Sequence, residues 1–203
     1  MEWSLTGLPL PITLRPPSPL TDDGLLAFSR KNKPFRIERN AQGEIEITTP
    51  VGFESGRRET FIARELDFYA EEQGEKTVGP NAGFNLADGS TLAPDAAWMS
   101  DDQWSALTPA QREKFPPICP QFVVEVLSRS DSRSVLRTKM EAWIANGAQL
   151  AWVVDPYAAT ITIYRPGAAP EIQQRPASIE AGPPVAGFRL TTSRLWADEA
   201  TSS

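Results

Sequence analysis

Two acidic residues lie in settings where a carboxylate could do chemistry. Asp95 follows Pro94 and opens the apolar segment 96–99, and Glu125 stands inside the apolar run 122–127. A proline disfavours a preceding helix, so Asp95 is expected at the entrance to a strand. A carboxylate in an apolar strand is costly unless a partner or a metal neutralises it. On adjacent strands, the two acids would offer the hard oxygen ligands that Mg²⁺ prefers, with Mn²⁺ as a substitute, and would leave positions for water and a phosphate oxygen.

Lys139 is the candidate amine for the same site. If a strand ends near Leu127 and a helix that begins near Ser132 runs back along it, Lys139 lies roughly 10 Å down that helix. Glu125 lies two residues below the strand end, roughly 7 Å by strand rise, so the two are expected to be nearly level. At the edge of the helix's buried stripe, the ammonium could reach a water on the metal or the charge developing on phosphate. The alternative is a lysine that merely solvates the helix flank.

The composition narrows the chemistry further. The chain has no histidine, which excludes Ser-His-Asp and Cys-His catalysis, histidine-metal nucleases and ordinary zinc enzymes. Its single cysteine, Cys119, excludes an internal disulfide and is expected to be a small buried side chain. The net charge of −6 argues against nonspecific binding of a polyanion, although local clusters at 57–58 and 129–137 could contact phosphates. Hydrolysis here would have to use carboxylates, lysine and a hard metal.

Periodicity predicts the elements that must position these residues. Arg58 and Glu65 fall on the apolar stripe of the first long helix, where they would be either a satisfied structural pair or part of a site. Helices are predicted from Asp22, capped by Thr21, to about Asn32, and over 56–73, 101–114 and 132–146. Strands are predicted in a hairpin at 35–39 and 44–48, and over 77–86, 96–99, 122–127, 150–154 and 160–164.

This order predicts an α/β fold, a mixed β-sheet flanked by helices with an N-terminal β-hairpin. We expect an irregular N-terminal arm over residues 1–20, a single domain over 21–196 and a disordered tail over 197–203. Within the domain, the composition of residues 166–184 indicates a loosely ordered segment. The apolar runs are far shorter than the roughly 20 residues a membrane helix needs, and the proline-rich N-terminus is unlike a secretory signal. A cytoplasmic protein without a membrane span is therefore expected.

The residues also resemble known families. Two acids at strand positions are similar to the PD-(D/E)XK nucleases, although the lysine two residues after the second acid is replaced here by Leu127. A closer likeness, over about residues 20–166, is to the Uma-two family of restriction-endonuclease-like proteins. The segments that carry it are GEIEI at 43–47, TP at 49–50, ESGRR at 54–58, GF at 83–84, DGS at 88–90, APDAAW at 93–98, CPQFVVEVLS at 119–128, SDS at 130–132, KM at 139–140, NG at 146–147, DP at 155–156 and IYR at 163–165.

The resemblance implies a restriction-endonuclease-like fold and Mg²⁺-dependent cleavage of DNA. It maps the acids onto Asp95 and Glu125 and the migrated lysine onto Lys139, adds the backbone carbonyl of Val126 as a metal ligand, and assigns Glu54 as the acid of the first long helix. A homodimer is expected, because duplex cleavage needs two sites. Two alternatives stay open: an inactive nuclease-fold scaffold or binding module, and acids that pair with arginines to support the sheet.

Overall fold

The computed structural model of the chain describes residues 11–196. The predicted disordered tail, 197–203, and the first ten residues of the predicted arm lie outside this range. The described chain packs as two compact units. The first comprises residues 11–51 with Gly83–Ala93 and Leu107–Ile118, and the second comprises Gly52–Ala82, Pro94–Ala106 and residues 119–196.

The elements alternate along the chain as the sequence predicts, with several short strands added. In chain order they are β1 (Ile12–Leu14), α1 (Asp22–Lys31), β2 (Arg36–Arg39), β3 (Ile45–Thr48), α2 (Phe53–Gln73), β4 (Lys76–Val78), β5 (Phe84–Asn85), β6 (Thr91–Leu92), β7 (Ala96–Met99), α3 (Asp101–Ser105), α4 (Pro109–Arg112), β8 (Phe122–Val126), α5 (Arg133–Ala145), β9 (Leu150–Asp155), β10 (Thr160–Tyr164), β11 (Glu171–Gln174), β12 (Ser178–Glu180) and β13 (Arg189–Thr191).

The first unit is an antiparallel sheet with helix α1. Thr21 caps the helix by accepting the Gly24 N–H, as the sequence predicts. The predicted hairpin is confirmed as β2 and β3. Its sheet has the order β1-β3-β2-β6-β5, so three residues of the predicted irregular arm form an edge strand. Ile37, Ile45 and Ile47 from the hairpin and Leu25 from α1 form its buried core.

The second unit holds a six-stranded mixed sheet with the order β11-β10-β9-β8-β7-β4. β8 and β9 are parallel, and the other neighbouring pairs are antiparallel. Helix α2 places Ile62 and Leu66 in a core with Val124 and Trp152 of the sheet. The helix ends at Gly74, which adopts the left-handed conformation that the sequence predicts for its stop.

Three predicted elements differ from the structure. The single strand expected over 77–86 is two strands in different sheets, because Gly79 and Pro80 break the ladder. The helix expected over 101–114 is two short helices, and Pro109 starts the second. The prediction of a loosely ordered segment over 166–184 is wrong, because this segment contains β11 and β12 and adds Ile179 to the core.

None of the helices within residues 11–196 has the length and apolarity that a membrane crossing requires.

Candidate active site

Glu125 lies in β8 of the second unit, and Asp95 lies beside it, immediately before β7. β7 and β8 pair in antiparallel register with Ala96 opposite Val124, and Asp95 immediately precedes β7. The Asp95 N–H donates to the Val124 carbonyl at 3.1 Å, and Asp95 Oδ2 accepts the Val126 N–H at 2.8 Å. The two acids are 3% and 2% exposed, so the fold holds both carboxyl groups away from bulk water.

Lys139 reaches inward from α5 to the second acid. Its Nζ lies 2.8 Å from Glu125 Oε1, and its side chain is only 14% exposed. The structure therefore places Lys139 at the level of Glu125, as the helix and strand rises predict, and not on a solvated flank. The ammonium lies against a buried carboxylate, which brings the three candidate groups to one end of β8.

Trp143, a buried residue of α5, is a further contact of this site that the sequence alone does not single out. Its Nε1 donates to Glu125 Oε1 at 3.2 Å, so the same oxygen receives a cation and an indole N–H. Trp143 follows Lys139 by four residues, and side chains at that spacing share a helix face. A tryptophan one helical turn after the candidate lysine is the feature of the sequence that could have predicted this contact.

The two long helices lie on opposite faces of the sheet. Val124 and Val126 join the core with α2, and Glu125, between them on the strand, points to the other face, where α5 packs. Glu54 lies in the first turn of α2 and its side chain is 56% exposed. The structure thus does not bring Glu54 into the cluster of Glu125 and Lys139.

Glu54 instead joins two arginines of its own helix. Its Oε2 lies 2.8 Å from an amino group of Arg57 and 3.5 Å from one of Arg58. The hydrogen bond from Arg57 lowers the pKa of Glu54, so the group is ionised at neutral pH. Arg58 is buried and donates its Nε to the Leu195 carbonyl at 2.7 Å, which makes it part of a structural pair. Glu65 forms an ion pair with Arg64 at the surface.

The cluster offers only a few oxygen ligands to a hard divalent cation. Within residues 11–196, no three or more histidine, cysteine or acidic side chains form a group that could hold a metal ion. Among the described residues, this site therefore offers at most two carboxylates, Asp95 and Glu125, and the Val126 carbonyl could add a further oxygen. Mg²⁺ is commonly bound in this manner, through one or two carboxylates with waters and substrate phosphates completing the shell.

Comparison with known proteins identifies the family. A family model described as "putative restriction endonuclease" matches residues 23–193. The chain belongs to the Uma-two family. Among solved structures, a protein described as a "putative nuclease" from Anabaena variabilis superposes with a TM-score of 0.66 at 19% identity, covering 79% of this chain and 89% of that one. This likeness confirms the restriction-endonuclease-like fold. A search of curated proteins finds no match.

Proposed function

We propose that this Uma-two chain is a metal-dependent endonuclease that hydrolyses phosphodiester bonds of DNA. The main support is the contact of Lys139 with the buried Glu125, which lies beside Asp95. The family match supports the same function. Two carboxylates that can hold a metal ion, with an amine from the following helix, can support phosphodiester hydrolysis without histidine. The active form is proposed to be a homodimer, because cutting both strands of a duplex needs two sites.

Each residue of the cluster has a distinct proposed role. Asp95, Glu125 and the Val126 carbonyl would hold Mg²⁺, or Mn²⁺ in its place. When bound, the ion supplies Lewis-acid activation of the phosphate and of the attacking water. Lys139 places a positive charge where charge develops on the phosphate and helps to orient the water.

Trp143 is a positioning residue in this proposal. Its indole N–H fixes the Glu125 oxygen that also contacts Lys139. Asp95 is fixed in turn by the Val126 N–H, so both acids are held by hydrogen bonds before a substrate arrives. Such preorganisation limits the rearrangement needed during the reaction.

Glu125→Ala tests the metal site directly. We expect the variant to lose DNA cleavage and to bind Mg²⁺ at least roughly tenfold more weakly in calorimetry, because a ligand is removed. Glu141→Ala is the matched control, since Glu141 is an exposed acid on α5 that pairs with Arg137. Absence of Mg²⁺ binding by the wild type, together with no cleavage, would instead support the scaffold alternative.

We propose a structural role for Glu54, which the family resemblance assigns to catalysis. Its ion pairs with Arg57 and Arg58 stabilise the first turn of α2. Because these pairs lower the pKa of Glu54, their stabilisation is fully present above the unfolded-state pKa of the carboxyl and is lost as the pH falls through the folded-state pKa. Glu54→Gln is therefore expected to cleave DNA at close to the wild-type rate. Its melting temperature should change less with pH in the acidic range than that of the wild type. A large loss of cleavage in a folded Glu54→Gln protein would return Glu54 to the catalytic set.

A further inference from the structure

A network of side chains lies at the carboxyl end of the parallel strands β8 and β9. Val126 and Val154 are the last paired residues of the two strands, and Asp155 follows directly. Asp155 is 6% exposed, and its Oδ1 accepts the N–H groups of Tyr157 and Ala158 at 3.0 and 2.9 Å. Its carboxylate therefore fixes the loop that leaves β9.

The same carboxylate holds an arginine from the start of α5. Asp155 Oδ2 lies 2.7 Å from both Nε and an amino group of Arg133. The Arg133 side chain nevertheless remains 67% exposed. A guanidinium group has five N–H donors in a fixed fork, so the hydrogen bond and ion pair with Asp155 orient it and leave donors directed outward.

A second arginine stands beside the fixed loop. The guanidinium carbon of Arg129 lies 4.8 Å from the ring centroid of Tyr157, a cation–π contact. Residues 128–139 contain four basic residues and one acidic residue, a formal charge of +3 in a chain of net charge −6. The acid, Asp131, turns back to accept the Ser128 N–H at 2.7 Å.

We propose that Arg129 and Arg133 form a phosphate clamp that holds the DNA backbone beside the acids of the site. This strand-end clamp rests on the proposed endonuclease function and names the part of the substrate that the site grips. Planar guanidinium groups suit phosphate oxygens, and Asp155 and Tyr157 hold both groups in place before binding.

The position of the clamp sets its reach. Arg129 follows Glu125 by four residues of extended or loop chain, so their Cα atoms are at most roughly 13 Å apart. One strand of duplex DNA advances about 3.4 Å per nucleotide, so the clamp would grip phosphates within about four nucleotides of the scissile bond. Ligands commonly bind at the carboxyl ends of parallel strands, where this network lies.

Binding of a short fluorescent DNA duplex in chelator, measured over a series of salt concentrations, tests the clamp without turnover. Removing one arginine–phosphate interaction should reduce the slope of log K against log salt by about one, so Arg129→Ala with Arg133→Ala should reduce it by about two. Arg64→Ala is the matched control, because Arg64 is a half-exposed arginine of α2, on the opposite face of the sheet, and pairs with Glu65. Arg133→Lys keeps the positive charge and should restore the slope that Arg133→Ala reduces.

The outcomes separate the two proposals. An unchanged slope in the double variant, or no duplex binding by the wild type, would overturn the clamp even where cleavage proceeds. A reduced slope in a protein that never cleaves would keep the clamp as a DNA-binding device and overturn the endonuclease proposal. Should the double variant melt before binding can be measured, Arg129→Ala alone leaves the Asp155 pair intact and should reduce the slope by about one.

Discussion

Replacing Lys139 by methionine is expected to lower the rate of Mg²⁺-dependent DNA cleavage by about 10²–10⁴-fold, the usual contribution of a positioned proton-transfer or charge-stabilising group. Methionine keeps an apolar stem against the helix and removes only the ammonium. The charge that Lys139 places against Glu125 at 2.8 Å is then missing from the reaction. Single-turnover rates measure the effect, and Glu141→Ala on the same helix should cleave like the wild type.

The same substitution has a cost in stability that must be separated from its effect on the rate. Removing one partner of a buried ion pair destabilises a protein by about 3–5 kcal/mol, because the remaining charge is left in a poor environment. Adding Glu125→Gln to Lys139→Met removes both charges and should recover much of the free energy of unfolding, while cleavage is not restored. A folded Lys139→Met protein that cleaves at the wild-type rate would contradict the proposed role.

Asp95→Asn is expected to abolish cleavage while leaving the fold intact. An amide oxygen can still accept the Val126 N–H that Asp95 Oδ2 accepts at 2.8 Å, whereas the charge that a divalent cation requires is gone. Asp95→Ala should abolish cleavage as well and should also cost about 1–3 kcal/mol of stability, because the buried N–H is left unsatisfied.

Thermal melts in chelator provide the control for Asp95. If the acids serve to hold a cation, removing one of two neighbouring carboxylates should leave the melting temperature of Asp95→Asn equal to or above that of the wild type. If Asp95 instead supports the sheet through its charge, the same variant should melt well below the wild type and retain cleavage. Comparing Asn with Ala at this position separates loss of charge from loss of a hydrogen bond.

Local rules predict the parts of the site that lie within single elements. The level of Lys139 relative to Glu125 follows from helix rise, strand rise and a short connection, and the structure agrees. The caps at Thr21 and Gly74 are predictable because each needs one residue type at one backbone position.

Contacts between distant segments are not predictable in this way. No sequence period links Arg133 to Asp155, since the contact depends on the start of α5 meeting the end of β9. The segment after Arg165 has the proline and glycine content of a loose chain, yet Phe188 stacks on Trp152, with ring centroids 6.0 Å apart. Short strands that pair with remote partners carry too few residues for an alternating pattern to show.

The Val126 amide links the two acids, because its N–H donates to the Asp95 carboxylate and Val126 directly follows Glu125 in β8. Deuterium can enter at that nitrogen only when the Asp95 carboxylate swings away or the end of β8 opens. The exchange rate of this one amide, measured by NMR, would therefore report how often the contact between Asp95 and β8 opens. Adding Mg²⁺ should lower this exchange rate if the ion draws the two acids together.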